Sequence, residues 1–194
     1  VAVPGGEPLH GGFHAVNYPV DPSITAAVFV PDYELSTEKA RQALPRELPY
    51  KDAVYNVSRV GLLPAAMNPV VLAQAAQQGK SGVAPAQDAD TCACSGGTRE
   101  SAFADELAAA QAQSNALLFT ATQDKLHQPY RGALMPPSTE LIALFRSKGY
   151  AAAVSGAGPC VLVLHYGNAR EAIDQIASEQ LASGHWRVLH LPIN

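Results

Sequence analysis

The chain has 194 residues, of which 47% are apolar and only 15% charged, and 13 Lys and Arg against 17 Asp and Glu leave a net charge of −4. That length holds one sizeable core, or a domain with a long insert, and the composition is not that of a disordered chain. No basic stripe is present to displace counterions from nucleic-acid phosphates, and no apolar run reaches the roughly 18 residues of a membrane span. The first ten residues, VAVPGGEPLH, lack the basic and apolar regions of a secretory leader. Three cysteines, Cys92, Cys94 and Cys160, suit a reducing cytoplasm better than a disulfide framework. The expectations are no nucleic acid, no membrane and a cytoplasmic location.

In chain order, residues 1–23 are rich in Gly, Pro and His, with a strand expected around Phe13–Tyr18. Ala26–Val30 is a short apolar run closed by Pro31-Asp32, the pattern of a buried strand entering a turn. Ser36 or Thr37 caps a short helix with Glu38 in its first turn, and Pro45 stops it. Asp52 opens a second helix with Val54, Val57 and Val60 near helical spacing, ended by Asn68-Pro69. From 77 to 100 the composition shifts to Gly, Ser, Pro, Asp and Gln, which predicts a mobile loop.

A long helix follows, with Phe103, Leu107, Ala110, Ser114, Leu117 and Ala121 on one face, expected to run to about Leu126. After a Pro-rich turn the pattern predicts a helix at 138–148, strands at 150–154 and 160–165 joined by a glycine loop, a helix at 169–182 and a last strand at 186–191. The whole reads as an α+β fold, a ferredoxin-like antiparallel sheet backed by helices.

Three segments could carry chemistry. In Ser155-Gly156-Ala157-Gly158-Pro159, two glycines allow positive φ and let N–H groups turn toward an anion, although a tight hairpin explains the same residues equally well. In His127-Gln128-Pro129-Tyr130-Arg131, a Pro-fixed turn aims a guanidinium whose planar fork suits a carboxylate or phosphate. The competing readings are a solvated Arg131 and a His127 that caps a helix C-terminus. In Ser36–Arg41, Thr37 and Arg41 stand four residues apart on one helix face, either around an anionic ligand or as a cap and a solvent-facing cation. Cys92 and Cys94 lack a second pair at zinc spacing, no HExxH or Walker sequence is present, and no metal site is expected.

Taken in order, Val30–Arg41, Leu44-Pro45, Lys51–Asn56, Arg59, Asp124–Arg131 and Ser155–Pro159 resemble the homoserine kinase family of the GHMP small-molecule kinases. The resemblance covers nearly the whole chain but only the C-terminal part of a family member. It implies residues 1–25 as a remnant strand region of the N-terminal kinase domain and 26–194 as the GHMP kinase C-terminal domain. It also implies ATP-dependent phosphorylation of L-homoserine to O-phospho-L-homoserine in threonine biosynthesis, with ATP and Mg²⁺ required by the complete enzyme and a homodimer left open. The family's Gly-Ser loop around ATP and its acidic Mg²⁺ partner have no counterpart here, so the fragment alone is expected to bind neither and to be inactive. By the same resemblance Thr37 lies near the reacting group, Arg41 and Arg131 clamp the substrate carboxylate, and His127, Ser155, Gly156, Ala157 and Gly158 line the substrate and phosphate region. Asn56 is expected to be structural. The alternatives are an amino-acid-binding regulatory module of ferredoxin-like shape, or another GHMP kinase acting on a different small alcohol.

Overall fold

The computed structural model describes residues 17–74 and 99–193. Most of the strand expected at Phe13–Tyr18, most of the 77–100 loop, and Cys92 and Cys94 lie outside these residues, as does most of the 1–25 region.

Four strands form one antiparallel sheet in the order β2-β3-β1-β4: β1 is Ile24–Pro31, β2 Ala151–Val154, β3 Val161–Tyr166 and β4 Trp186–Pro192. In β1, Ala26 and Ala27 point to opposite faces, and the register sets Ala27 against Val163 on one side and His190 on the other. The helices follow the same chain order. They are α1 (Thr37–Gln42), α2 (Tyr50–Val60), α3 (Leu63–Ala66), α4 (residues 69–74), α5 (Arg99–Ala121), α6 (Gln128–Arg131), α7 (Pro136–Ser147), α8 (Arg170–Ile176) and α9 (Ser178–Ala182).

The strand order and the β-α-β-β-α-β path are those of the expected ferredoxin-like sheet. One face packs on α7, α8 and α9 through Phe29, Leu141, Phe145, Val161, Val163 and Ile173, with the Phe29 and Phe145 rings 5.1 Å apart. The other face carries an additional helical layer: Ala26, Ala151 and Leu164 meet Leu118 of α5 and Ala66 of α3. Burial of each such large side chain stabilises the fold by about 1.5–3 kcal/mol relative to exposure. The Ser114 hydroxyl, buried in this second layer, donates to the Ala66 carbonyl at 2.6 Å and so ties α5 to α3 without an unpaired polar group.

Three elements differ from expectation. The long helix stops at Ala121, five residues early, because the Thr122 hydroxyl turns back to the Leu118 carbonyl (2.9 Å) and Asp124 takes the N–H groups that follow. Its buried stripe is Ala110, Ser114, Leu118 and Ala121, with Leu117 only half-buried. The helix expected at 169–182 is two, parted at Ala177, a kink that keeps both Ile173 and Ala177 against the sheet. In α2 the spaced Val54, Val57 and Val60 face outward and none of its residues is buried; polar groups, described below, hold this helix instead. Among the described residues no helix is long and apolar enough to cross a membrane.

Candidate functional site

The loop between β2 and β3 is shaped by its glycines. Gly156 and Gly158 have φ of 63° and 91°, which a Cβ disfavours. Ser155 N–H donates to the Cys160 carbonyl at 2.8 Å and Gly158 N–H to the Ser155 carbonyl at 3.1 Å. The N–H groups of Gly156 and Ala157 have no acceptor among the described residues, so this turn presents two free donors side by side. Gly158 also lies against buried Met135: a Cβ there would stand 2.6 Å from its Sδ. Beyond the loop, buried Ser138 of α7 donates to the Pro159 carbonyl. Since that uses its single hydrogen, Tyr33 donates in turn to Ser138 Oγ at 2.7 Å. Cys160 is free and half-buried.

A second knot sits at the end of α5. Asp124, with 6% of its side chain exposed, accepts from Asn56 Nδ2 (2.6 Å) and from the N–H groups of Leu126, His127 and Gln128 (3.1, 3.0 and 2.6 Å). Burial pushes its carboxyl up, but these four donors outweigh burial and hold it below the usual aspartate range. Asn56 Oδ1 also accepts from Lys125 N–H at 2.9 Å, so Asn56 joins α2 to the turn before α6. Tyr55 adds a hydrogen bond to Gln123 Oε1 at 2.6 Å and carries the Arg59 guanidinium 3.7 Å above its ring.

That turn delivers two side chains, Gln128 and Arg131, to other elements. Gln128 accepts from the Val154 N–H at 3.0 Å, and Arg146 of α7 donates to the Ala152 carbonyl at 2.8 Å. Both cover backbone on the open edge of β2, which would otherwise be free to pair with another chain. Arg131, three residues on, donates from Nε to the Ala40 carbonyl in α1 (3.1 Å) and from Nη1 to the Gly156 carbonyl (3.5 Å). One guanidinium thus spans α1, α6 and the glycine loop.

Not every expected site residue joins this contact. Arg41 follows Ala40 directly, but its side chain is exposed, and it makes no hydrogen bond or ion pair with a described residue. Thr37 is likewise exposed at the first position of α1, after the Ser36 cap, which accepts from Lys39 N–H at 3.4 Å. His127 is not a helix C-cap: α5 has already ended, and His127 is the N-cap of α6, held by Asp124. Its Nε2 lies 3.6 Å from Asp124 Oδ1, while its Nδ1 is buried without a partner.

Sequence reasoning quoted Asp124 and Gln128 within a motif but gave neither a role of its own, and it did not single out Arg146 or Ser138. Asp124 had a legible signal: an acid four residues ahead of Gln128-Pro129 marks a helix start. Gln128 and Arg146 depend on which strand lies at the sheet edge, and Ser138 on α7 packing beside the loop after β2. Among the described residues no three His, Cys, Asp or Glu side chains are grouped to hold a metal ion.

Comparison with known proteins points first to a class: residues 101–182 match the family described as GHMP kinases C terminal. The particular relatives are homoserine kinases. The enzyme of Corynebacterium aurimucosum is 33% identical over 181 residues, 93% of this chain and 43% of its own length. That of Clavibacter michiganensis subsp. michiganensis is 36% identical over 141 residues, 73% of this chain and 31% of its own. The crystal structure of homoserine kinase from Cytophaga hutchinsonii superposes with a TM-score of 0.59 at 18% identity, covering 91% of this chain and 43% of that one. The chain therefore spans less than half the length of the relatives it matches, and it is similar to their homoserine kinase sequence over that part.

Proposed function

We propose that this chain is the substrate-gripping C-terminal portion of a cytoplasmic homoserine kinase serving threonine biosynthesis. The hydroxyl oxygen of L-homoserine attacks the γ-phosphorus of ATP and the bond to the β-phosphate oxygen breaks. O-phospho-L-homoserine and ADP leave, and the hydroxyl proton passes to solvent. Such a transfer asks the protein for positioning and charge stabilisation more than for covalent chemistry.

The observation that carries this reading is Arg131, whose guanidinium links the α1 backbone beside Arg41 to the Gly156 carbonyl. Three segments far apart in sequence meet there. In this reading Arg131 and Arg41 grip the substrate carboxylate and Thr37 stands near the accepting hydroxyl. The backbone of Ser155, Gly156, Ala157 and Gly158 faces the substrate and phosphate, with His127 at the margin. ATP and Mg²⁺ belong to the complete enzyme; no residue described here is assigned to the metal.

The test compares this chain with a longer protein that also carries the N-terminal lobe. Homoserine-dependent ADP release is expected from the longer protein and none from the 194 residues alone. Turnover by the short chain refutes its inactivity. A longer protein that phosphorylates another small alcohol in preference to homoserine refutes the substrate.

A further inference from the structure

We propose that the cavity beside the open edge of β2 is a binding site for a small organic carboxylate with an apolar body, seated on the Arg146 guanidinium. The cavity measures about 360 Å³ and lies between α2, the end of α5, the 123–129 segment, α7 and β2. Tyr55, Phe119, Ile142 and Val154 give it apolar walls. None of Thr37, Arg41, Arg131 or the glycine loop lines it, so the site stands independently of the proposed kinase reading.

Arg146 supplies the charge. Its Nη1 donates to the Ala152 carbonyl and Thr122 Oγ1, and its Nη2 to the Phe119 carbonyl, with the guanidinium 4.2 Å from the Phe119 ring. These contacts fix the plane of the group. The Nε hydrogen and one Nη2 hydrogen have no acceptor among the described residues, and no described carboxylate lies within ion-pair distance. A guanidinium held in place by carbonyls and lacking an acid is arranged to receive a planar anion.

The surrounding charges favour a carboxylate over a zwitterion. Asp124 also borders the cavity, but its oxygens are occupied by the four donors described above, and Gln123 Oε1 accepts from Tyr55 and Arg59. Neither is left for a ligand ammonium. Lys125 lies 3.8 Å from Asp52 and 4.3 Å from the Tyr55 ring, at the same rim. The volume is at the small end of ligand pockets and suits a body of one ring or a short branched chain.

Benzoate, the neutral isostere benzamide and inorganic phosphate serve as probes of the full 194-residue chain, by calorimetry and ligand-observed NMR. Benzoate is expected to saturate one site, with benzamide at least about tenfold weaker for want of the charge-assisted contact. Arg146→Met keeps the stem and removes the fork; Ile142→Phe fills the cavity and leaves Arg146 in place. Each is expected to weaken benzoate at least about tenfold, and if Arg146→Met does not fold, Ile142→Phe decides. No saturable benzoate binding, equal binding of benzamide, tighter binding of phosphate, or benzoate affinity unmoved by Ile142→Phe each overturn the proposal.

Discussion

Arg131 and Arg146 both donate to backbone carbonyls, yet they stand in regions of different build. Arg146 joins the end of α5 to the edge strand β2, within the packed body of the domain. Arg131 joins α1, α6 and the glycine loop, three pieces that otherwise share little contact, at a half-exposed surface. Near Arg131, moreover, the Gly156 and Ala157 N–H groups and the Arg41 side chain are unspent on described residues. The contrast shows that carbonyl contacts only orient a guanidinium. The donors left free on it and around it determine whether a region that closes a sheet can also take a ligand.

The largest blow to the glycine-loop side of this comparison is Gly158→Ala. It combines a φ of 91° with a Cβ placed 2.6 Å from Met135 Sδ, and Met135 is buried with little room to move. Backbone strain and overpacking together predict a loss of about 3–4 kcal/mol. Gly156→Ala meets nothing within 4 Å and has only its φ of 63° to bear, so about 1 kcal/mol is expected. Urea unfolding of the two variants checks the ranking; equal losses mean that Met135 yields freely and the loop is not packed as described.

The arginines themselves sharpen the comparison next. Arg146→Met leaves the Ala152 and Phe119 carbonyls without their donor and opens the β2 edge, so a stability loss of about 2–3 kcal/mol is expected. Arg131→Ala is expected to raise the homoserine KM of the complete enzyme by about 10- to 150-fold, the loss of one charge-assisted contact of about 1.5–3 kcal/mol. Its stability loss should be smaller than that of Arg146→Met. If KM does not move, or the order of stabilities reverses, Arg131 is a structural strut and not a substrate clamp.

Local pattern revealed most of the fold. The apolar run Ala26–Val30, the Ser36 cap and the glycine punctuation of 149–158 are each signals contained in a few consecutive residues, and the corresponding elements form near the expected places. Legibility failed where partners are distant. The apolar spacing of Val54, Val57 and Val60 reads like a core stripe, but α2 is held by Tyr55 and Asn56, whose partners lie 68 residues away. Likewise the Ala121 stop depends on Thr122 and Asp124 taking backbone groups from a helix that periodicity alone would prolong. As for the site, its three segments were visible as separate motifs. Their meeting was implied only by the family resemblance, because no local rule says that Ala40 and Gly156 face one guanidinium.

Asp124 connects the two regions, since its acceptors cap the turn that carries both Gln128 to the β2 edge and Arg131 to the glycine loop. Its carboxyl titrates below the ordinary aspartate value in the folded chain, so between those two pH values the unfolded chain binds more protons. Stability therefore rises with pH across that window; the contribution is complete above about pH 5 and lost as pH falls through the folded value. Asp124→Asn removes the charge while keeping the shape, and at pH 7 it should cost about 1–2 kcal/mol, the scale of a good cap. The signature is in the pH dependence: the gap between the natural chain and the variant should shrink as urea midpoints are followed from pH 7 toward pH 3. A gap that stays constant over that range means that the loss comes only from the two N–H donors that the amide nitrogen cannot accept, and that charge plays no part in the knot.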